Sequence, residues 1–347
     1  MSQQMISGHM VLEGPFVFDN GTIPRLEISY AVGGQPSPDG ENVVFVCPPF
    51  TASPFVTDWW QGLFGDGKHF DPHSHCIVSV APLGSAYGST GPQSIGPDGR
   101  PYLHSLPQFT VRDLAMVNQL VLEELGITKV GYLVGASLGG MVALEMAITR
   151  PSCYERMVLI GSNATQSQYM AAYSESQRMI IELDPTWKLM SIDAGMNGLK
   201  VARSVAILSY RPYTAYHATQ VGVNPITGQH RSVSYQRYKG EELAKRFNAI
   251  SYHRLLGTFD SHDVGRDRAG IDAALSLVEA ETVVLSLAGD QVFHESEQLV
   301  LAKGIRNCKW FRIETKYGHD GFLTETDQIA EKLTSCFSNC VYQGADK

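Results

Sequence analysis

The stretch "KVGYLVGASLGGMVALEMAITRP", Lys129 to Pro151, limits more sharply than any other what this chain can fold into. An apolar run of strand character ends in a glycine cluster, and a helix-like pattern begins at once on its far side. Gly135, Ser137 and Gly139 fit G-x-S-x-G, a sharp turn that lifts a serine hydroxyl above the end of a buried strand. Positions two before and two after the serine must lack side chains that would collide across such a turn. The N–H after the serine, from Leu138, is predicted to open a helix, where hydrogen bonding and the helix dipole both favour an oxyanion.

Short runs rich in Val, Ile, Leu and Phe recur on both sides of this turn. They are "NVVFVC" (42–47), "CIVSVA" (76–81), "KVGYLV" (129–134), "RMVLIG" (156–161), "TVVLSLAG" (282–289) and "KWFRIE" (309–314). Continuous rather than alternating apolarity suits strands covered on both faces. Helical patterns such as "VRDLAMVNQLVLEELG" (111–126) separate several of them, which predicts an α/β fold: a mainly parallel sheet flanked by helices. "VFDNGTIPRLEISYAV", with Asn-Gly between β-like flanks, predicts an antiparallel hairpin at one edge. Between about 165 and 265 the strand-like runs stop, and "SQYMAAYSESQRMIIEL", "GLKVARSVAILSY" and "KGEELAKRFNAISYHRLLGTF" carry helical patterns. The expected organisation is a core of residues 1–164 and 266–347 with a helical lid at 165–265.

Composition narrows the function classes. The chain has 27 Lys and Arg against 35 Asp and Glu and no basic tract, so nucleic acid is not an expected partner. No apolar run nears the roughly 18 residues that span a bilayer, and the start lacks the pattern of a targeting segment. The expectation is a cytosolic protein without membrane partners. Six cysteines, at 47, 76, 153, 308, 336 and 340, are too irregular for a disulfide framework. Cys336 and Cys340 would stand one turn apart if helical. "GLFGDGKH" (62–69) imitates a phosphate-binding loop, but His69 occupies the hydroxyl position such a loop needs. No metal site is expected from the histidine-rich "KHFDPHSHC".

A serine nucleophile requires a base and a carboxylate that orients it. Downstream, "TVVLSLAGDQVF" delivers Asp290 past one buried strand, and "KWFRIETKYGHDGFL" delivers His319 past another. The chain order Ser137, Asp290, His319 is the one this strand–turn–helix context demands. His294 competes with His319, and Asp263 and Asp267 compete with Asp290; none follows a strand in the same way.

Taken together, "CPPFTASPFVTDWW" (47–60), "GSTGPQSIGPDGRPY" (88–102), "GASLGGMVALEMA" (135–147), "SYQRYKGEELAKRFNAISY" (234–252), "SHDVGR" (261–266) and "YGHDGFL" (317–323) resemble the homoserine O-acetyltransferase family of α/β-hydrolases, from about Phe16 to Asp327. The resemblance implies a ping-pong acyltransferase of amino-acid biosynthesis. Ser137 would be acylated by acetyl-CoA, which is a substrate rather than a resident cofactor, and a hydroxy amino acid would then accept the acyl group. It implies an oxyanion hole from Leu138 and either Phe50 or Thr51, an acceptor carboxylate held by Arg211 and its amino group by Asp320. It also implies a homodimer formed through the lid. Where the family carries a His-Ala-Leu-Thr-Gly-like run, this chain has "PPFTAS", so serine or a larger metabolite stays open as acceptor. A hydrolase with the same triad stays open as well.

Overall fold

The computed structural model describes residues 5–337; Cys340, and with it the 336/340 spacing, lies outside the described residues. Eight strands form one sheet: β1 (Ile6–Phe18), β2 (Gly21–Gly33), β3 (Val43–Cys47), β4 (Cys76–Val80), β5 (Val130–Ala136), β6 (Tyr154–Ile160), β7 (Glu281–Leu287) and β8 (Cys308–Ile313), in the order β1-β2-β4-β3-β5-β6-β7-β8. β1 and β2 form the expected antiparallel hairpin, and β2 joins β4 antiparallel. From β4 to β8 every pairing is parallel. This is the mainly parallel, helix-flanked arrangement that the uninterrupted apolar runs predict.

The helices are α1 (Val56–Trp59), α2 (Val111–Glu124), α3 (Leu138–Thr149), α4 (Gln168–Glu182), α5 (Met196–Tyr210), α6 (Tyr213–Thr219), α7 (Arg231–Ala244), α8 (Ala249–Asp260), α9 (Ile271–Leu275), α10 (Glu295–Gly304), α11 (Gly321–Thr324) and α12 (Thr326–Phe337). Successive side chains of a strand face opposite layers, so β3 feeds two cores. Val43, Phe45 and Cys47 pack with Val117 and Val121 of α2 and Met141 and Leu144 of α3. Val44 and Val46 join Ile329 and Leu333 of α12, beneath Trp60 and Phe322. α2 starts at a reciprocal cap: Thr110 Oγ1 accepts from the Asp113 N–H, and Asp113 Oδ2 accepts from the Thr110 N–H at 2.8 Å.

Five helices, α4 to α8, occupy an excursion after β6 whose base a bridge between Thr165 and Asp263 closes, and α9 follows it before β7. The helical pattern at 239–259 is broken in the structure. Asn248 accepts the Ser251 N–H at 2.7 Å and so starts α8 as a new helix after α7 ends. Ile181, Leu199, Leu243, Phe247, Tyr252 and Leu255 form a separate apolar core among these helices. Among the described residues, no helix is long and apolar enough to cross a membrane. Cys47, Cys76, Cys153, Cys308 and Cys336 are free thiols.

Candidate active site

β5 runs straight into α3 through Ser137, whose backbone sits at φ 57°, ψ −129°. A non-glycine residue in that region carries strain of about 1–3 kcal/mol, held in place by its surroundings. Here the Ser137 N–H is bonded to the Ile160 carbonyl at 3.0 Å. Both flanking glycines are required by space. A Cβ on Gly135 would lie 2.2 Å from the Gly139 carbonyl oxygen, and one on Gly139 only 2.0 Å from the carbonyl oxygen of Cys47. Leu138 is the first residue of α3, so its N–H has no acceptor within the helix.

The loops after β7 and β8 bring two more groups to the same end of the sheet. His319 Nδ1 lies 2.9 Å from Asp290 Oδ2, and both side chains are almost fully buried. Asp290 is itself held: its Oδ1 accepts the N–H groups of Val292 at 2.8 Å and Phe293 at 3.0 Å. A carboxylate on Nδ1 favours the tautomer with its proton there, which leaves Nε2 as the ring nitrogen with a free lone pair. Phe293 and Phe322 pack on the ring at centroid distances of 5.4 and 5.5 Å and fix its plane.

Ser137 and His319 line one cavity of about 440 Å³, walled by Pro49, Phe50, Thr51, Trp59, Tyr87 and Tyr210 among others. Phe50 lies just after β3 and turns its ring edge-on to Tyr252 at 5.0 Å, tying the loop beside the serine to α8. The carbonyl of Thr51 accepts from the Tyr87 hydroxyl at 2.9 Å and from the Arg246 guanidinium. That pins the loop that carries the Phe50 and Thr51 N–H groups.

Asp320 also lines this cavity, one residue beyond His319. Arg211, which the resemblance implies holds the acceptor carboxylate, is bonded to it. Its Nε donates to Asp320 Oδ2 at 2.5 Å, and its guanidinium is not part of the cavity wall. Burial opposes the Arg211 charge, but the bond to Asp320 and its charge outweigh that and leave the pKa above the ordinary value.

The competing residues have other work. His294 caps α10, its Nδ1 accepting the Ser296 N–H at 3.3 Å. Asp263 Oδ1 accepts the Gly265 N–H at 2.8 Å in a turn, and Asp267 pairs with Arg112. The glycine-rich 62–69 segment is not followed by a phosphate-cradling helix; Phe64 and Phe70 bridge and stack there instead. Sequence reading did not single out Arg203, Tyr210, Tyr87 or Arg246, all of which line the cavity. Only Arg203 and Tyr210 left a trace, a seven-residue spacing that puts them on one helix face.

A family model for the alpha/beta hydrolase fold matches residues 43–326. A homoserine O-acetyltransferase of Cyclobacterium marinum is 36% identical over 317 residues, covering 91% of this chain and 90% of that protein. The chain belongs to the homoserine O-acetyltransferase family. Members of that family are acyltransferases, and this chain is one. A solved homoserine O-acetyltransferase from Bacillus anthracis superposes with a TM-score of 0.88 at 21% identity, over 96% of this chain and 98% of that one. Esterase E22, as its L374D mutant, superposes with a TM-score of 0.84 at 23% identity, over 95% and 99%. One fold thus serves the homoserine O-acetyltransferase family and an esterase alike, and only the site can separate acyl transfer from hydrolysis.

Proposed function

We propose that the protein transfers an acetyl group from acetyl-CoA to the hydroxyl of L-homoserine by a ping-pong mechanism. His319 Nε2 takes the Ser137 proton as Oγ attacks the thioester carbonyl. The Leu138 N–H, with that of Phe50 or Thr51, stabilises the oxyanion, and the CoA thiol leaves with the proton from His319. The acceptor hydroxyl then attacks the acetyl-serine, its proton passing to His319 and on to Ser137 Oγ as the product forms. Asp290 holds the imidazole throughout and stabilises its charged form.

The observation that carries the acceptor assignment is the Asp320 carboxylate in the cavity wall, adjoining the base and clamped by Arg211. A carboxylate there suits an ammonium group, and Arg211 acts by keeping it in position. Esterase E22 supports a second reading, in which water replaces the alcohol. The test is thiol release from acetyl-CoA with and without L-homoserine, L-serine and other hydroxy amino acids. Release stimulated by homoserine, with O-acetylhomoserine found by mass spectrometry, supports transfer. Release that no hydroxy amino acid alters would move the assignment to a hydrolase. We also propose a homodimer through the lid, whose Leu183, Met190 and Ile226 are strongly exposed apolar groups; a monomeric mass by light scattering would overturn it.

A further inference from the structure

We propose that Arg246 is a positioning residue for the oxyanion hole: it holds the Thr51 carbonyl from the turn between α7 and α8, so that the helical excursion after β6, and not the sheet end alone, completes the hole. The inference rests on the covalent chemistry at Ser137 proposed above, and not on which acceptor is used. Residues 49–52 form a tight turn just beyond β3, closed by the Ala52 N–H on the Pro49 carbonyl at 2.9 Å. Such a turn bonds its first carbonyl to its fourth N–H, so the N–H groups of Phe50 and Thr51 between them are not consumed by it. The Thr51 carbonyl takes no part in that bond either. It is held from two distant parts of the chain: the Tyr87 hydroxyl, in the loop after β4, donates to it at 2.9 Å, and the Arg246 guanidinium donates both to it and to the Tyr87 oxygen. Burial outweighs the nearby guanidinium and raises the Tyr87 pKa, so the phenol remains an O–H donor.

A carbonyl oxygen has two lone pairs, and the phenol and the guanidinium occupy both. Because a peptide group is planar, holding that oxygen sets the plane of the 51–52 peptide. The Pro49–Ala52 bond closes the other side, and the two N–H groups between have little freedom left. That matters because an oxyanion donor is most effective when it needs no reorganisation as charge develops. The segment that carries Arg246 is itself fixed. Its neighbour Phe247 is buried, with ring centroids 5.7 Å from Tyr87 and 6.4 Å from Tyr252, and Asn248 caps α8 at once afterwards. Tyr252 in turn packs edge-on to Phe50 at 5.0 Å. One end of α8 therefore bears on both candidate donors, on Phe50 through its ring and on Thr51 through its carbonyl.

The experiment measures the rate constant and the burst amplitude of Ser137 acetylation by acetyl-CoA and by p-nitrophenyl acetate, which carries no nucleotide, in the wild type, Arg246→Met and Arg246→Lys. Arg246→Met is expected to lower the rate constant about 10- to 100-fold with both donors. The amplitude should be kept, since each folded molecule still has its serine. Arg246→Lys should recover part of the loss, because an ammonium can still donate to the carbonyl. Unchanged rate constants overturn the inference. So does a loss confined to acetyl-CoA, which would make Arg246 a contact for the nucleotide phosphates, and so does a smaller amplitude at an unchanged rate constant, which would mean lost fold. Should the methionine variant not fold, Tyr87→Phe removes the other donor on the same carbonyl and reads the same rate constant, expected to fall about tenfold; no change overturns the inference. A wild type that forms no acetyl-enzyme with either donor overturns the covalent reading and this inference with it. An acetyl-enzyme whose formation depends on Arg246 but which no hydroxy amino acid discharges supports this inference and overturns the acceptor assignment alone.

Discussion

Gly161 stands so close to Asp290 that a Cβ on it would lie 3.2 Å from the Oδ2 that receives the His319 bond, and 3.4 Å from His319 Cε1. It follows β6 directly, its N–H bonded to the Leu285 carbonyl at 3.0 Å, at φ +52°. Gly161→Ala therefore meets backbone strain and crowding of the acid–base pair together. The expected cost is about 1–2 kcal/mol of stability, visible as a lower midpoint in urea, with a fall in kcat. An alanine variant with unaltered kcat would show that the pair tolerates displacement.

The proposed covalent chemistry makes two partial reactions depend on one oxygen. Ser137→Ala is expected to reduce thiol release from acetyl-CoA and acetyl transfer alike by at least about 10³-fold. Asp290→Asn is expected to cost on the order of 10³- to 10⁴-fold in kcat, because the imidazole would then favour the wrong tautomer. Rapid-quench measurement of acetylated protein checks both; acetyl-enzyme that accumulates normally in Ser137→Ala would end the assignment.

Arg211→Ala should act on the acceptor half of the reaction. Loss of its bond frees Asp320 to move, so KM for the acceptor is expected to rise about tenfold or more, while acetyl-enzyme formation changes far less. Equal loss in both halves would contradict a positioning role confined to Asp320.

Glu145 of α3 is almost fully buried, and its carboxylate holds two guanidiniums: Arg268, with one contact at 3.0 Å, and Arg112 at 3.2 Å. This ties the helix behind the serine to α2 and to the chain returning from the lid. Glu145→Ala leaves Arg268 without a carboxylate and Arg112 with only the exposed Asp267, and is expected to cost about 3 kcal/mol, measured by denaturant unfolding. A change below 1 kcal/mol would mean that solvent takes over the role of the carboxylate.

His262 is buried with Nε2 2.8 Å from the Asn163 carbonyl, and burial pushes its pKa down to about 4. Because the folded pKa is the lower one, the unfolded chain takes up a proton first as pH falls. Stability from this group is thus complete above about pH 6.5 and declines towards pH 4, by roughly 3 kcal/mol across the window. Urea midpoints from pH 7 to 4 should show a slope that His262→Gln flattens. His69 shares the direction and the cause, so an unaltered slope in the His262 variant would reassign the effect.

Much of this molecule is written locally. Five consecutive buried residues in β3 and in β4 leave no face for water, and the turn at Ser137 needs glycines at 135 and 139 because carbonyl oxygens occupy the space. Local pattern also placed Asp290 and His319 after their strands, since a parallel sheet delivers such loops to one end. The break at Asn248 was less visible, because a capping residue inside a helical pattern shows its effect only when its side chain turns back on the backbone.

What the chain alone determined, then, is the strand order of events around Ser137, because strand, turn and helix preferences act over a few residues. Which charges meet was decided only by the packed structure. Arg203, midway along α5, and Arg211, just past its end, lie eight residues apart, yet packing against the loop after β8 gives Asp320 to one and leaves the other facing the cavity. Charge pairing depends on which side chains the packing brings together in space and carries no sequence period, so no pattern in the chain could have chosen between them.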